Sequence, residues 1–164
     1  MAWGILPRAA LVLERAFLYF PERTLALAPA DVGLVAEEVR LQAADGVRLH
    51  GYWVPGQGQR ALVWFHGDGG NLSHRLPQAR LLLERFGLDQ LLVDYRGYGH
   101  SQGRPSEAGL YRDGLAMYAA TVARGYRPEQ VVLYGQSLGA AVALDVARRR
   151  PVGADGWVVS RSRG

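Results

Sequence analysis

The sequence predicts an α/β domain in which an antiparallel hairpin leads into a mostly parallel sheet with helices on both faces. Asp45-Gly46 stands between two segments of alternating polar and apolar residues, a pattern typical of a hairpin turn. Three continuous apolar runs, typical of strands buried on both faces, occupy residues 61–65, 91–94 and 131–134. Helical stretches alternate with these runs, which favours right-handed crossovers and parallel pairing.

The first 36 residues are expected to form a helix and an irregular lead-in. Residues 9–20 are apolar apart from Glu14 and Arg15. The stretch is shorter than the roughly 20 apolar residues that span a bilayer, and its charged pair interrupts what would be the core of a signal peptide. We expect this amphipathic helix to pack on the domain, with peripheral contact at a membrane surface as the alternative. A cytoplasmic location is the corresponding expectation.

The remaining elements follow from the same alternation. After the hairpin strands at 37–43 and 47–54, a helix is expected to end near Phe86, a second to cover 107–124, and an alanine-rich third to end near Arg150. Residues 157–159 predict a further strand, so the α/β domain is placed at 37–160, with an unstructured tail at 161–164. Glycine-bearing loops follow the three buried strands, at the sheet edge where ligands bind in such folds.

Composition excludes several kinds of site. The 164 residues fit one domain, and the absence of cysteine excludes disulfides, thiolate zinc sites and a cysteine nucleophile. The net charge of +4 comes from dispersed arginines with no lysine and no nucleic-acid motif, so a nucleic-acid partner is not expected. The four histidines lack metal-ligand spacing, and no metal or cofactor is expected.

The strongest chemical signal is Gly135-Gln136-Ser137-Leu138-Gly139, placed between a strand and a helix. A serine in such a sharp turn has a strained backbone and an exposed hydroxyl, and residues two before and two after it must be small. The new helix also directs free N–H groups toward developing negative charge. The pattern predicts Ser137 as a nucleophile, with Gly135 and Gly139 as the glycines that permit the turn.

The loop after the first buried strand, His66-Gly67-Asp68-Gly69-Gly70, lies beside this turn in the predicted sheet. An acyl-transfer site needs two backbone donors for the oxyanion of its tetrahedral intermediate. We expect these donors to be the N–H groups of Asp68 and Leu138. The alternative is an ordinary glycine turn that opens a helix with Asn71 as its cap.

A second glycine-rich loop, residues 94–99, places charged and aromatic side chains close together. We interpret it as structural. Asp94 and Arg96 are expected to connect loops, and Tyr95 and Tyr98 to form a pocket wall.

These strings resemble the α/β-hydrolase superfamily. The resemblance rests on residues 66–75 (HGDGGNLSHR), residues 94–113 (DYRGYGHSQGRPSEAGLYRD) and the turn GQSLG, with Phe20-Pro21 and residues 45–55 in agreement. The branch is that of small serine hydrolases, serine aminopeptidase-type or lysophospholipase-like. It implies a partial α/β-hydrolase fold without its last strands, and hydrolysis of an ester, thioester or amide. A small-molecule or lipid-like acyl substrate is the expected partner.

The sequence departs from this family at the catalytic triad, whose order is Ser, Asp, His. All four histidines precede Ser137, namely His50, His66, His74 and His100. The family's base, a histidine after the serine, is therefore absent from the 164 residues. Asp145, eight residues along the helix, would lie about 12 Å from Ser137. His66 as a substitute base is the remaining alternative.

Three explanations for the absent triad residues stay open. The reading frame is truncated or shifted, a second chain completes the site, or the product is a catalytically inactive interaction module. A sheet that stops near Val159 would also expose an edge through which the chain could self-associate.

Overall fold

The computed structural model describes residues 18–153 and the backbone of residues 157–160. Within these residues, the helices are α1 (Leu76–Phe86), α2 (Glu107–Ala123) and α3 (Leu138–Arg149). The strands are β1 (Phe20–Pro21), β2 (Glu37–Gln42), β3 (Arg48–Val54), β4 (Ala61–Phe65), β5 (Gly69–Gly70), β6 (Asp89–Val93), β7 (Val131–Gln136) and β8 (Trp157–Ser160).

Six of the strands form one mixed sheet in the order β2-β3-β6-β4-β7-β8. The predicted hairpin is present, because β2 pairs with β3 in antiparallel register around Asp45-Gly46, and β3 also runs antiparallel to β6. The strands β6, β4, β7 and β8 are parallel to one another. The α/β fold class predicted from the sequence is therefore confirmed, and the carboxyl ends of β4, β6 and β7 share one edge.

Helices cover both faces of the sheet, as predicted. Alternate residues of β4 divide between two cores: Val63 and Phe65 pack on the side of α2 and α3, and Leu62 and Trp64 on the side of α1. All five β4 side chains are buried, which explains why this strand appears in the sequence as an unbroken apolar run.

Two strand boundaries differ from the sequence-based expectation. β6 begins at Asp89, two residues before the expected apolar start, because Asp89 and Gln90 are buried with hydrogen-bond partners of their own. Phe20 and Pro21, expected in the irregular lead-in after the N-terminal helix, instead form β1, which pairs in parallel with β5.

Some expectations concern parts of the chain outside the described residues. Most of the predicted N-terminal helix and the tail at 161–164 belong there. Across the residues that the structure covers, no helix has the length and apolar character needed to cross a membrane.

Candidate active site

Ser137 occupies the turn between β7 and α3. Its backbone has φ 52° and ψ −117°, and it is the one non-glycine residue with positive φ in the described part of the chain. This conformation is unfavourable for a residue with a Cβ, by roughly 1–3 kcal/mol, and it persists only where the surrounding structure imposes it. The strained serine turn expected from the sequence is therefore present.

Two close backbone approaches explain the glycines of this turn. A Cβ on Gly139 would lie 1.8 Å from the Phe65 carbonyl oxygen, and one on Gly135 would lie 2.6 Å from the Cα of Ala140. Neither contact is compatible with a side chain. The first turn of α3 is thus pressed against the end of β4, which brings Ser137 to the loop that follows β4.

That loop lies directly beside the serine. A Cβ on Gly67 would be 3.5 Å from the Ser137 Cβ. The carbonyl oxygen of Asp68 accepts hydrogen bonds from the Phe20 N–H at 3.0 Å and the Tyr98 hydroxyl at 2.8 Å. Within the described residues, the N–H groups of Asp68 and Leu138 have no acceptor, so both expected donors are available to a ligand.

Asn71 caps the helical turn that follows this loop, as the alternative interpretation of the loop predicted. Its side-chain oxygen accepts from the Ser73 N–H at 3.0 Å, and its amide nitrogen donates to the carbonyl oxygens of Glu22 and Thr24. The cap lies downstream of Asp68 and uses different atoms. Capping and oxyanion binding are therefore compatible functions of one loop.

The His66 ring contacts Gly67 and Asp94, at the end of β6, and does not contact the Ser137 hydroxyl, so it is not placed to act as a base. Its Nδ1 lies 2.7 Å from the Gly67 carbonyl oxygen and its Nε2 lies 3.4 Å from Asp94 Oδ1. Its ring is buried against Tyr95 and Tyr98 at centroid distances of 4.4 and 5.1 Å. Among the described residues, the Ser137 hydroxyl forms no hydrogen bond with His66 or with any other group.

The 94–99 loop is structural, as predicted. Asp94 accepts a hydrogen bond from the Leu72 N–H at 2.7 Å. Arg96 joins Asp45 of the hairpin to Asp113 of α2, with closest contacts of 2.7 and 2.8 Å. Burial raises the pKa of the Asp113 carboxyl, and the hydrogen bonds from Arg96 oppose this rise.

The two tyrosines of this loop correct one expectation. Tyr95 and Tyr98 are fully buried and belong to the core, so the prediction that they form a pocket wall is wrong. Burial also raises the pKa of the Tyr98 hydroxyl, which keeps it protonated as the donor to Asp68.

The family model described as serine aminopeptidase, S33, matches residues 56–162, a segment that contains both loops and the serine turn. The chain belongs to this α/β-hydrolase family.

Individual relatives agree with this assignment. The α/β-hydrolase domain-containing protein WAV2 of Arabidopsis thaliana is 32% identical over 76% of this chain and 42% of its own length. An α-β hydrolase from Vibrio vulnificus has 30% identity and a TM-score of 0.64, covering 76% of this chain and 44% of the other. An esterase from Pyrococcus furiosus has a TM-score of 0.66 at 23% identity, covering 82% and 54% of the two chains, and shows the shared fold. The chain spans about half the length of the curated relatives it matches.

The position of Asp145 in this chain agrees with the expectation that its carboxylate does not reach Ser137. Its carboxylate is held on its own helix by Arg149 at 2.8 Å and Arg148 at 3.3 Å. In residues 18–153, no three His, Asp or Glu side chains are grouped so that they could hold a metal ion.

One polar residue near the serine was missed by sequence reasoning. Arg75 donates from Nη2 to the Gly69 carbonyl oxygen at 2.9 Å, and its Nε is buried without a partner. It appears in the sequence as an ordinary arginine beside a helix start. No pattern signal identifies it, because its position depends on how the β4 loop folds back over α1.

Proposed function

We propose that this protein hydrolyses an ester, thioester or amide through attack of the Ser137 hydroxyl on the carbonyl carbon. The positive φ of Ser137 at the start of α3 carries this proposal. A strained serine presented at a helix N-terminus, at the carboxyl edge of a parallel sheet, is the arrangement of α/β-hydrolase nucleophiles. The substrate is a small-molecule or lipid-like acyl compound.

The N–H groups of Asp68 and Leu138 are proposed as the oxyanion donors. Each such donor is worth about 3 kcal/mol in the transition state of comparable sites. Two groups donate to the Asp68 carbonyl oxygen and fix the plane of the Asp68–Gly69 peptide, next to the proposed donor. The Leu138 N–H belongs to the rigid first turn of α3. Gly135 and Gly139 keep the serine turn close to β4.

The base and acid are proposed to come from outside these 164 residues. No histidine follows Ser137 in the sequence. Of the four that precede it, His66 and His74 contact groups of their own loop. The rings of His50, in β3, and His100 contact each other at a centroid distance of 4.9 Å. The first candidate function therefore requires a longer form of the protein or a second chain, which could join through the β8 edge.

The second candidate function is that of a catalytically inactive binding module. It is favoured by the absence of any hydrogen bond to the Ser137 hydroxyl from the residues that the structure describes. In this case the serine turn and its N–H groups would bind a carbonyl or an anion without cleaving it. A cytoplasmic location with peripheral membrane contact is proposed for either function.

A fluorophosphonate probe separates the two functions, because it reacts with activated serines. Covalent labelling of the 164-residue chain, detected by intact mass, that disappears in Ser137→Ala would support an activated nucleophile. Ser160→Ala is a matched control that should label like the unchanged chain. No labelling of the folded chain would contradict an activated serine within these 164 residues alone, and labelling that persists in Ser137→Ala would contradict the assignment of the nucleophile.

A further inference from the structure

Arg75 is a partly buried arginine without an acidic partner. It precedes α1 at the end of the loop that begins with His66. Nη2 donates to the Gly69 carbonyl oxygen, whereas Nε is buried and donates to nothing. No carboxylate in the described part of the chain lies within ion-pair distance of its guanidinium.

This guanidinium lies next to the serine turn. A single carbon atom added to Gly67 would be 3.5 Å from the Ser137 Cβ and 4.0 Å from Arg75 Nη2. A carbon added to Gly69 would meet no described atom within 4 Å. The space beside the Gly69 Cα is therefore open, and the carbonyl oxygen of the same residue accepts the hydrogen bond from Arg75.

The contrast with Arg96 shows what Arg75 lacks. Arg96 is also buried, and it is neutralised by Asp45 and Asp113 through several hydrogen bonds. Withdrawing a charge from water without a counter-charge is unfavourable, so partly buried arginines generally have one. Asp68, the acidic residue of the same loop, forms no ion pair with any described residue, and its charge helps to raise the pKa of Tyr98.

We propose that Arg75 is an anion-binding subsite beside Ser137 and that the natural ligand carries a carboxylate or phosphate close to its acyl carbonyl. A guanidinium presents several N–H donors in the plane that such groups recognise. The substrate role rests on the proposed function, but binding of the anion does not require catalysis.

The test compares two small esters that share one methyl ester group and the same carbon chain but differ in charge. Monomethyl succinate carries one carboxylate, and dimethyl succinate carries none. Binding to the 164-residue chain is measured by calorimetric titration or by chemical-shift changes. We expect the unchanged chain to bind the anionic ester about tenfold more tightly, as a charge-assisted hydrogen bond would give.

Two substitutions locate this preference. Arg75→Gln should abolish it, and Arg75→Lys should retain part of it because the charge stays. The matched control Arg85→Gln removes the same charge from an exposed position in the last turn of α1 and should leave the preference unchanged. Should Arg75→Gln fail to fold, added salt is the second measurement: the preference of the unchanged chain should then decline as sodium chloride is raised.

Equal affinity for the two esters in the unchanged chain would overturn the proposal, as would a preference that survives in folded Arg75→Gln. A salt-independent preference would also contradict it. Competition by methyl phosphate or by acetate decides which anion fits better. Ser137→Ala should keep the preference, so failure of this subsite is distinguishable from failure of the nucleophile, which is tested by fluorophosphonate labelling.

Discussion

The contact between Gly139 and the end of β4 should make this glycine one of the least replaceable residues of the chain. In Gly139→Ala the new Cβ would lie 1.8 Å from the Phe65 oxygen, 2.4 Å from the Phe65 carbonyl carbon and 2.7 Å from the His66 oxygen. All three are backbone atoms, and β4 is hydrogen-bonded to a strand on each side. The strand therefore cannot yield, and the start of α3 must move outward instead.

Carbon and oxygen atoms in proteins approach to about 3.3 Å even in weak hydrogen bonds. The required displacement is therefore more than about 1 Å, and it would separate helix side chains from the sheet. We expect the free energy of unfolding to fall by about 3 kcal/mol or more. This loss is a large part of the total stability of an ordinary domain, which is roughly 5–15 kcal/mol.

Urea unfolding followed by tryptophan fluorescence measures this loss, since Trp64 is buried in the core. Gly69→Ala is the matched control. Its Cβ would meet no described atom within 4 Å, so it should change the free energy of unfolding by less than about 0.5 kcal/mol. The reasoning is refuted if Gly139→Ala is as stable as Gly69→Ala.

Two further predictions concern buried charges. Asp113→Asn removes a buried carboxylate from Arg96, and urea unfolding should show a loss of about 2 to 3 kcal/mol, with Asp45 limiting the damage. Burial and the neighbouring His100 lower the pKa of His50, against the opposing charges of Glu38 and Asp94. The unfolded chain therefore takes up the His50 proton first as the pH falls below about 6.5, and stability should decline toward acid pH. Urea midpoints at pH 7.5 and 5.5 should differ less in His50→Gln than in the unchanged chain.

Each of these has a control. Asp31→Asn, at an exposed turn, should cost less than Asp113→Asn, and equal losses would contradict the importance of the Arg96 contacts. For His50→Gln the control is the unchanged chain, measured at the same two pH values. An unaltered pH dependence in His50→Gln would show that other groups govern acid sensitivity.

The sequence is most informative where local pattern and tertiary environment agree. The strand Ala61–Phe65 was predicted at its observed bounds because every side chain in it is apolar and buried. The serine turn was predictable because its glycines and its flanking strand and helix are adjacent in the chain. The start of β6 was not, because Asp89 is buried through a bond from the distant Tyr126 hydroxyl at 2.7 Å.

Features that depend on distant contacts escaped sequence reasoning. The pairing of β1 with β5 joins segments separated by almost fifty positions and involves glycines that have no strand pattern. The buried rings of Tyr95 and Tyr98 pack against His66, which directly follows β4 and is distant from them in the sequence. The interest of Arg75 lies in the lack of an acidic partner among the described residues. This feature depends on tertiary contacts, so the order of residues in the sequence does not show it.

The hydrogen bond from Phe20 to Asp68 determines which residues a fragment carrying the serine turn must include. The family match begins at residue 56, yet the peptide that follows the proposed oxyanion donor Asp68 is held by Phe20, far upstream of that boundary. A gene fragment cut at the family boundary would also lose β3, which pairs along β6. The smallest transferable unit therefore reaches back at least to Phe20, and a transplant that begins at residue 56 would carry the serine without the support of its neighbouring loop.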